Sequence, residues 1–337
     1  MNVLLTSAGR RNYLIQYFKN ALNSRGRVFA ADASNYAPAL YEADQSFQVP
    51  YVTDSGYVSS LVKICQQNNI RLLVPLNDLE LPVLAASADA FRAVGTTPLV
   101  SEPGVIDICF DKWAMLDTLR ECGINVPATF LNLEDALEAI HRGILRFPIV
   151  IKPRWGSASI GIMFAHDLEE LELCFQLSKK AIQRTILANI SGEHPDECIL
   201  IQEALTGQEY GLDIVNDLEG NTVAVFVKRK IAMRAGETDK AITVESPELI
   251  ELGMRIGARL KHIGNLDCDV FVSESGIYVL EMNPRFGGGY PFSHFAGADL
   301  PSTLLAWLEG KEPKAEWLQV RPNIFSAKCD RLVGNQR

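Results

Sequence analysis

The first hundred residues alternate between short apolar runs and longer stretches whose apolar positions fall three and four apart. "NVLLTSA" reads as a strand ending in small residues, and "RRNYLIQYFKNALNSRG" as an amphipathic helix closed at Gly26. "RVFAADAS" predicts a second strand with an acid at its end, "YVSSLVKICQQNN" another helix, and "IRLLVPL" a further strand. Strands alternating with helices build a parallel sheet, and such sheets bind ligands beyond the carboxyl ends of their strands. "SEPGVIDICFDKWAMLDTLRECGINVP" predicts one joining helix, with Gly123 at its end and Pro127 just past it.

A second alternation follows. It runs through the helix "DALEAIHRG", the strand "FPIVIKP", the loop "RWGSASIG", the strand "IMFA" and a long helix beginning "DLEELELCFQL", up to the polar break "NISGEHPDE". Beyond the break, "ECILIQEAL", "GQEYGLDIV" and "GNTVAVFVKRKIAMR" read as strands and "SPELIELGMRIGARLKHIG" as a crossing helix. "DCDVFVSE" and "GIYVLEMN" complete a strand-rich end that implies an antiparallel or mixed sheet. The expected class is α/β, in three units at residues 1–105, 106–195 and 196–337.

Bulk composition narrows the function classes. The chain has 337 residues, 47% of them apolar and 22% charged, which is ordinary globular composition and enough for more than one core. A net charge of −9 argues against a general nucleic-acid binder, which needs a basic excess. Seven cysteines without a CxxC pair indicate neither a zinc site nor a disulfide framework. No apolar stretch reaches membrane-spanning length, and "MNVLLTSAGRR" does not read as a signal peptide. A cytoplasmic protein without membrane or nucleic-acid partners is expected.

Charged residues at strand ends are the candidate chemistry. Asp269 and Glu281 lie on two strands joined by the tight turn "ESG", so both acids sit towards the open end of a hairpin. Asn283 is two residues past Glu281 and points to the same face. Two carboxylates and an amide oxygen make a hard-oxygen cluster suited to magnesium, and Arg285 offers forked donors for a phosphate or carboxylate. A structural Glu281–Arg285 salt bridge is the plain alternative. Lys152 ends an apolar strand, where an ammonium calls for an anionic partner, and the loop after it offers Gly156, Ser157, Ser159 and Gly161. Glu203 follows a strand, with backbone at Ala204 and Leu205 beside it, and Glu209 follows the turn at Gly207. Lys112 and the run Lys228, Arg229, Lys230 and Arg234 read, taken singly, as exposed charges.

The order and spacing of Lys112, Lys152 with its loop, "QEAL…GQE", Asp269 and "EMNPR" resemble the ATP-grasp superfamily, in the branch similar to the carbamoyl-phosphate synthase large subunit and other carboxylate–amine ligases. "VLLTSAGRR", "ADAS" and "VPLNDLELPVLA" look like the Rossmann-like domain that precedes that fold. The resemblance implies a two-subdomain ATP-grasp region with ATP and magnesium, or manganese, as cofactors. It implies that Lys112 and Lys152 hold ATP phosphates under the 156–161 loop. Glu203, Ala204 and Leu205 would frame the adenine, and Glu209 would meet the ribose. Asp269, Glu281 and Asn283 would hold metal, Arg285 would steady an acyl phosphate, and Arg229 and Arg234 would contact an anionic substrate. The implied reaction joins a small carboxylate to an amine or ammonia, in a protein that could be a homodimer. A split carbamoyl-phosphate synthase module or a non-catalytic ATP sensor is the alternative. A nicotinamide oxidoreductase is the weaker rival, because "VLLTSAGRRNYL" carries one glycine, although Asp32 is spaced to meet a ribose hydroxyl.

Overall fold

The computed structural model describes residues 1–156, 161–185, 188 and 196–334. The N-terminal sheet is parallel throughout. It contains β1 (Asn2–Thr6), β2 (Val28–Asp32), β3 (Gln45–Gln48), β4 (Ile70–Pro75) and the short β5 (Thr97–Pro98), in the order β3-β2-β1-β4-β5. Helix α1 (Asn12–Leu22) buries Leu14, Ile15 and Phe18 on one face, and α2 (Tyr57–Gln67) buries Tyr57, Leu61 and Cys65 on the other. Covered on both sides, β1 and β4 are nearly continuous apolar runs. Two short helices, α3 (Leu81–Ala86) and α4 (Ala88–Ala93), follow β4.

The single joining helix expected from sequence is two, α5 (Pro103–Phe110) and α6 (Lys112–Glu121), parted at Asp111. Asp111 is extended, and its carboxylate caps α6 by accepting from the Trp113 and Ala114 N–H groups. The same carboxylate receives two N–H bonds from Arg154, at 2.8 and 2.7 Å. Helix continuity is exchanged there for a cap and a bidentate ion pair.

The small sheet holds β6 (Thr129–Phe130), β7 (Ile149–Pro153), β8 (Met163–Ala165) and β9 (Ile199–Glu203), in the order β6-β9-β7-β8, with α7 (Leu133–His141) and α8 (Leu168–Ile182) around its own core. The expected boundary at 195/196 is therefore displaced. Strand β9 pairs with β7 and fills this core with Ile199 and Ile201, so the small sheet ends at Glu203. The joining helices also fall outside that unit, because Met115, Leu116 and Leu119 of α6 pack against the large sheet.

The large sheet is antiparallel, in the order β14-β13-β10-β11-β12-β15. Its strands are β10 (Gln208–Asn216), β11 (Thr222–Arg234), β12 (Glu237–Thr243), β13 (Gly264–Ser273), β14 (Gly276–Asn283) and β15 (Phe325–Ala327). Leu212, Ile214, Val227, Cys268, Val270 and Val279 turn to α6 and to α9 (Pro247–Leu260). Strand alternation sends their neighbours the other way. Phe286 follows β14 and leads to α10 (Tyr290–Phe295) and α11 (Leu300–Leu308). It is fully buried and meets Tyr290 of α10 edge-on at 4.8 Å and Phe18 of α1 at 6.3 Å. These residues share one core with Leu14, Phe226 and Leu304, so the N-terminal sheet and the large sheet are packed through a common interior.

Phe286→Ala is expected to lower unfolding free energy by about 3–5 kcal/mol, the usual cost of emptying an aromatic from a core. Urea denaturation checks it. Separate transitions for the N-terminal sheet and the large sheet in the unmutated chain would contradict the shared core.

Candidate active site

A cavity of about 480 Å³ lies between the small sheet and the large sheet, with Arg11 of the N-terminal unit also in its lining. Its floor is the face of the large sheet opposite the helices. The β13–β14 register sets Asp269 directly across from Glu281, and Asp267 across from Asn283. Val270 then pairs with Val279, which leaves Leu280 as an extra residue in a β-bulge. The bulge lets Leu280 and Glu281 both face the cavity while Val279 and Met282 stay in the apolar core.

Lysines from three directions reach this floor. Lys112, the first residue of α6, donates to the Gly156 carbonyl, with its ammonium 3.9 Å from Glu281. Lys152, at the end of β7, is 8% exposed and forms no ion pair at 4 Å or less among the described residues. Burial first, and the neighbouring Lys112 second, bring its pKa down to about 8. Lys230 of β11 touches Glu209 and Asp269, both at 2.7 Å. Burial works against that ammonium, but the two carboxylates outweigh it and hold its pKa above the ordinary value.

Two further pairs set the rest of the floor. Lys228 and Asp213 are fully buried and 2.7 Å apart, with Ser293 also donating to the carboxylate. Arg285 is 8% exposed; its Nη2 meets Asp78 at 2.6 Å and its Nη1 meets Asp267 at 3.5 Å, while its buried Nε–H has no hydrogen-bond partner among the described residues. The glycines after Arg285 make room for these groups. A Cβ on Gly287 would fall 2.0 Å from the Asp267 carboxyl carbon, and one on Gly289 would fall 2.5 Å from Lys228 Cε.

Lys112, Lys152, Gly156, Glu203, Ala204, Leu205, Glu209, Asp269, Glu281, Asn283 and Arg285 all line the cavity. Glu203 also grips Ala128, accepting its N–H on the carboxylate at 3.2 Å. Ser157 and Ser159, with the expectation of a closing loop, lie outside the described residues, and Gly161 packs against Pro153 just beyond the wall. Two expectations are corrected. Arg229 is exposed on the opposite face of β11, because alternation gives the cavity Lys228 and Lys230 instead. Arg234 is not a lining residue, although Met233 and Gly236 of the same hairpin are; its exposed guanidinium is held instead by Asp239 at 3.0 Å and Asp330 at 2.7 Å. Sequence reasoning took Lys228 and Lys230 for exposed charges, although the period-two pattern of β11 could have placed them. It missed Arg11, Asp78, Asp267 and Glu237. Asp32, offered to a ribose by the rival reading, accepts from the Gly9 and Ser34 N–H groups.

Lys228→Met leaves Asp213 buried beside no cation and is expected to destabilise the fold by about 3–5 kcal/mol. Replacing both members with apolar residues, Asp213→Leu with Lys228→Met, should recover most of that loss. Chemical denaturation of the two variants decides whether the pair is structural.

Residues 3–99 match the PylC-like N-terminal domain, and residues 109–289 match the ATP-grasp domain. Solved structures of similar fold include the biotin carboxylase domain of Hydrogenobacter thermophilus 2-oxoglutarate carboxylase, at 15% identity over 96% of this chain and 73% of that one, TM-score 0.75. The Bacillus licheniformis L-amino acid ligase is 18% identical over 95% of this chain and 77% of that one, TM-score 0.68. Staphylococcus aureus N5-carboxyaminoimidazole synthetase is 15% identical over 97% and 79%, TM-score 0.66. With the domain match spanning more than half its length and the site built on that domain's strands, the chain belongs to the ATP-grasp family.

Proposed function

We propose that this cavity binds ATP with magnesium, converts a small carboxylate into an acyl phosphate and passes the acyl group to an amine or ammonia. Membership of the ATP-grasp family makes the chain an ATP-dependent ligase that forms C–N bonds. The observation that carries the residue roles is the convergence of Lys112, Lys152 and Lys230 on Asp269, Glu281 and Asn283 in one cavity. Cations for a polyphosphate and hard oxygens for a divalent ion are both needed for phosphoryl transfer, which depends on positioning and charge neutralisation.

The donor set fits magnesium. Asp269 and Glu281 face each other across neighbouring strands with Asn283 beside them, and among the described residues no three His, Cys, Asp or Glu side chains close a protein-only cage. Magnesium favours one or two carboxylates and keeps positions for phosphate oxygens, and manganese accepts the same donors. When bound, the ion would neutralise charge on the transferring phosphoryl group. The biotin carboxylase relative is described in complex with MgADP and bicarbonate, which supports both an ion and a small acid at such a site.

The chain's own groups have these roles. Lys152 and Lys112 hold phosphate oxygens from opposite sides. Glu203, Ala204 and Leu205 frame the adenine, and Glu209 meets the ribose. A substrate carboxylate oxygen attacks the γ-phosphorus and ADP leaves. Arg285 steadies the acyl phosphate until the amine nitrogen attacks its carbonyl carbon, expelling phosphate and losing a proton. We also propose a two-fold dimer, on the frequency of such assemblies and the dimeric form of the biotin carboxylase relative.

Lys152 gives a pH-dependent test. With its pKa at about 8, the ammonium is partly deprotonated above that pH, and a bound triphosphate restores the proton. Calorimetry of Mg-ATP binding in buffers of different ionisation enthalpy should show proton uptake above pH 8 that vanishes well below it. Lys152→Met should abolish the uptake and weaken binding at least about tenfold, ~1.4 kcal/mol. No uptake in the unmutated chain would put Lys152 away from the phosphates.

A panel of carboxylates and amines, assayed for ADP release, tests the reaction itself. Release should require both reactants, and Glu281→Gln should cut it by about 100-fold or more with an unchanged circular dichroism spectrum. ATP binding without turnover across the panel would favour a sensor instead.

A further inference from the structure

Arg285 lines the ATP-grasp cavity, and the loop after β4, from the N-terminal sheet, reaches that residue through Asp78. Its carboxylate accepts from Arg285 Nη2 at 2.6 Å. Both groups are nearly buried, at 7% and 8% exposure. The loop that offers Asp78 is braced from beneath. Glu80 is fully buried; its Oε1 accepts the Leu76 and Asn77 N–H groups at 2.8 and 3.0 Å, and its Oε2 accepts the Tyr57 hydroxyl at 2.6 Å. Asn77 completes a capping box with Glu80, and its own side chain accepts from the Leu79 N–H. A carboxylate taken wholly out of water and saturated with donors makes a rigid support for its loop.

The guanidinium is then fixed on two sides. Asp78 holds Nη2, while Asp267 and the Phe286 carbonyl share Nη1 at 3.5 and 3.3 Å. These contacts set the plane of the fork, on a side chain that lines the cavity. We propose that Asp78 is a positioning residue of the active site, orienting the Arg285 guanidinium where that side chain lines the cavity, with Glu80 and Tyr57 as its brace. The N-terminal domain thereby supplies part of the catalytic geometry, from outside the segment matched to the ATP-grasp domain. The catalytic consequence rests on the ligase reading above; the orientation does not.

Two measurements on the full chain separate the two. Arginine side-chain ¹⁵N NMR, with the Arg285 signals identified by their loss in Arg285→Lys, reads orientation without any substrate. The unmutated protein and Asp78→Glu should show restricted rotation, with separate and slowly exchanging Nη protons; Asp78→Asn should show them averaged. Using a reactant pair from the ADP-release panel, Asp78→Asn should lower kcat about 10- to 100-fold. KM for ATP should stay within about twofold, and Asp78→Asn added to Arg285→Lys should cause no further loss. Unchanged Arg285 signals in Asp78→Asn, or losses that multiply in the double variant, overturn the proposal. If no reactant pair yields ADP, the ligase reading falls and the NMR signals alone decide the orientation.

Discussion

A charge removed from water persists only beside a counter-charge, and one face of the large sheet is organised by that requirement. Lys228 is answered by Asp213, Lys230 by Glu209 and Asp269, and Arg285 by Asp78 and Asp267. The pairing fixes long side chains that would otherwise sample many rotamers, so the cavity floor has a definite pattern before any ligand arrives. Lys152 is the exception. Without an ion-pair partner at 4 Å or less among the described residues, it has only the more distant Glu281 to offset burial and Lys112, and its lowered pKa records an ammonium that gains from a bound anion.

The other face of the same strands is apolar, and this contrast made the hairpin legible in the sequence. "LDCDVFVSE" alternates, Glu281 and Asn283 are two apart, and the turn between the strands is short, which puts Asp269, Glu281 and Asn283 on one side; the bulge at Leu280 was not legible. Strand β11 carries the same information, but four basic residues in "KRKIAMR" masked it. A run of charge looks like a solvated surface until the alternation is counted, and the count selects Lys228 and Lys230 while turning Arg229 outward. Asp78 was beyond local reading, because 207 residues separate it from Arg285. The break at Asp111 was hidden in a similar way: helix periodicity runs through it, and its reason is an ion pair to Arg154 on another element.

The three glycines after Arg285 also acquire a reason. They lie where Asp267, Glu237 and Lys228 crowd the backbone, and side chains there would occupy the space of the charged groups. Gly211 does the same on β10, with Lys228 and Lys230 passing over it. Small residues beside a charge-rich strand end thus mark close approach by neighbouring side chains, and need no appeal to flexibility.

The common interior made by Phe18, Phe226, Phe286, Tyr290 and Leu304 has a consequence for modular engineering. A fragment beginning after the first sheet would present that aromatic surface to solvent, inviting aggregation. Exchanging the N-terminal sheet for a relative's would require matching shapes along the seam as well as a compatible linker. The smallest portable unit of this architecture therefore includes both sides of that interior.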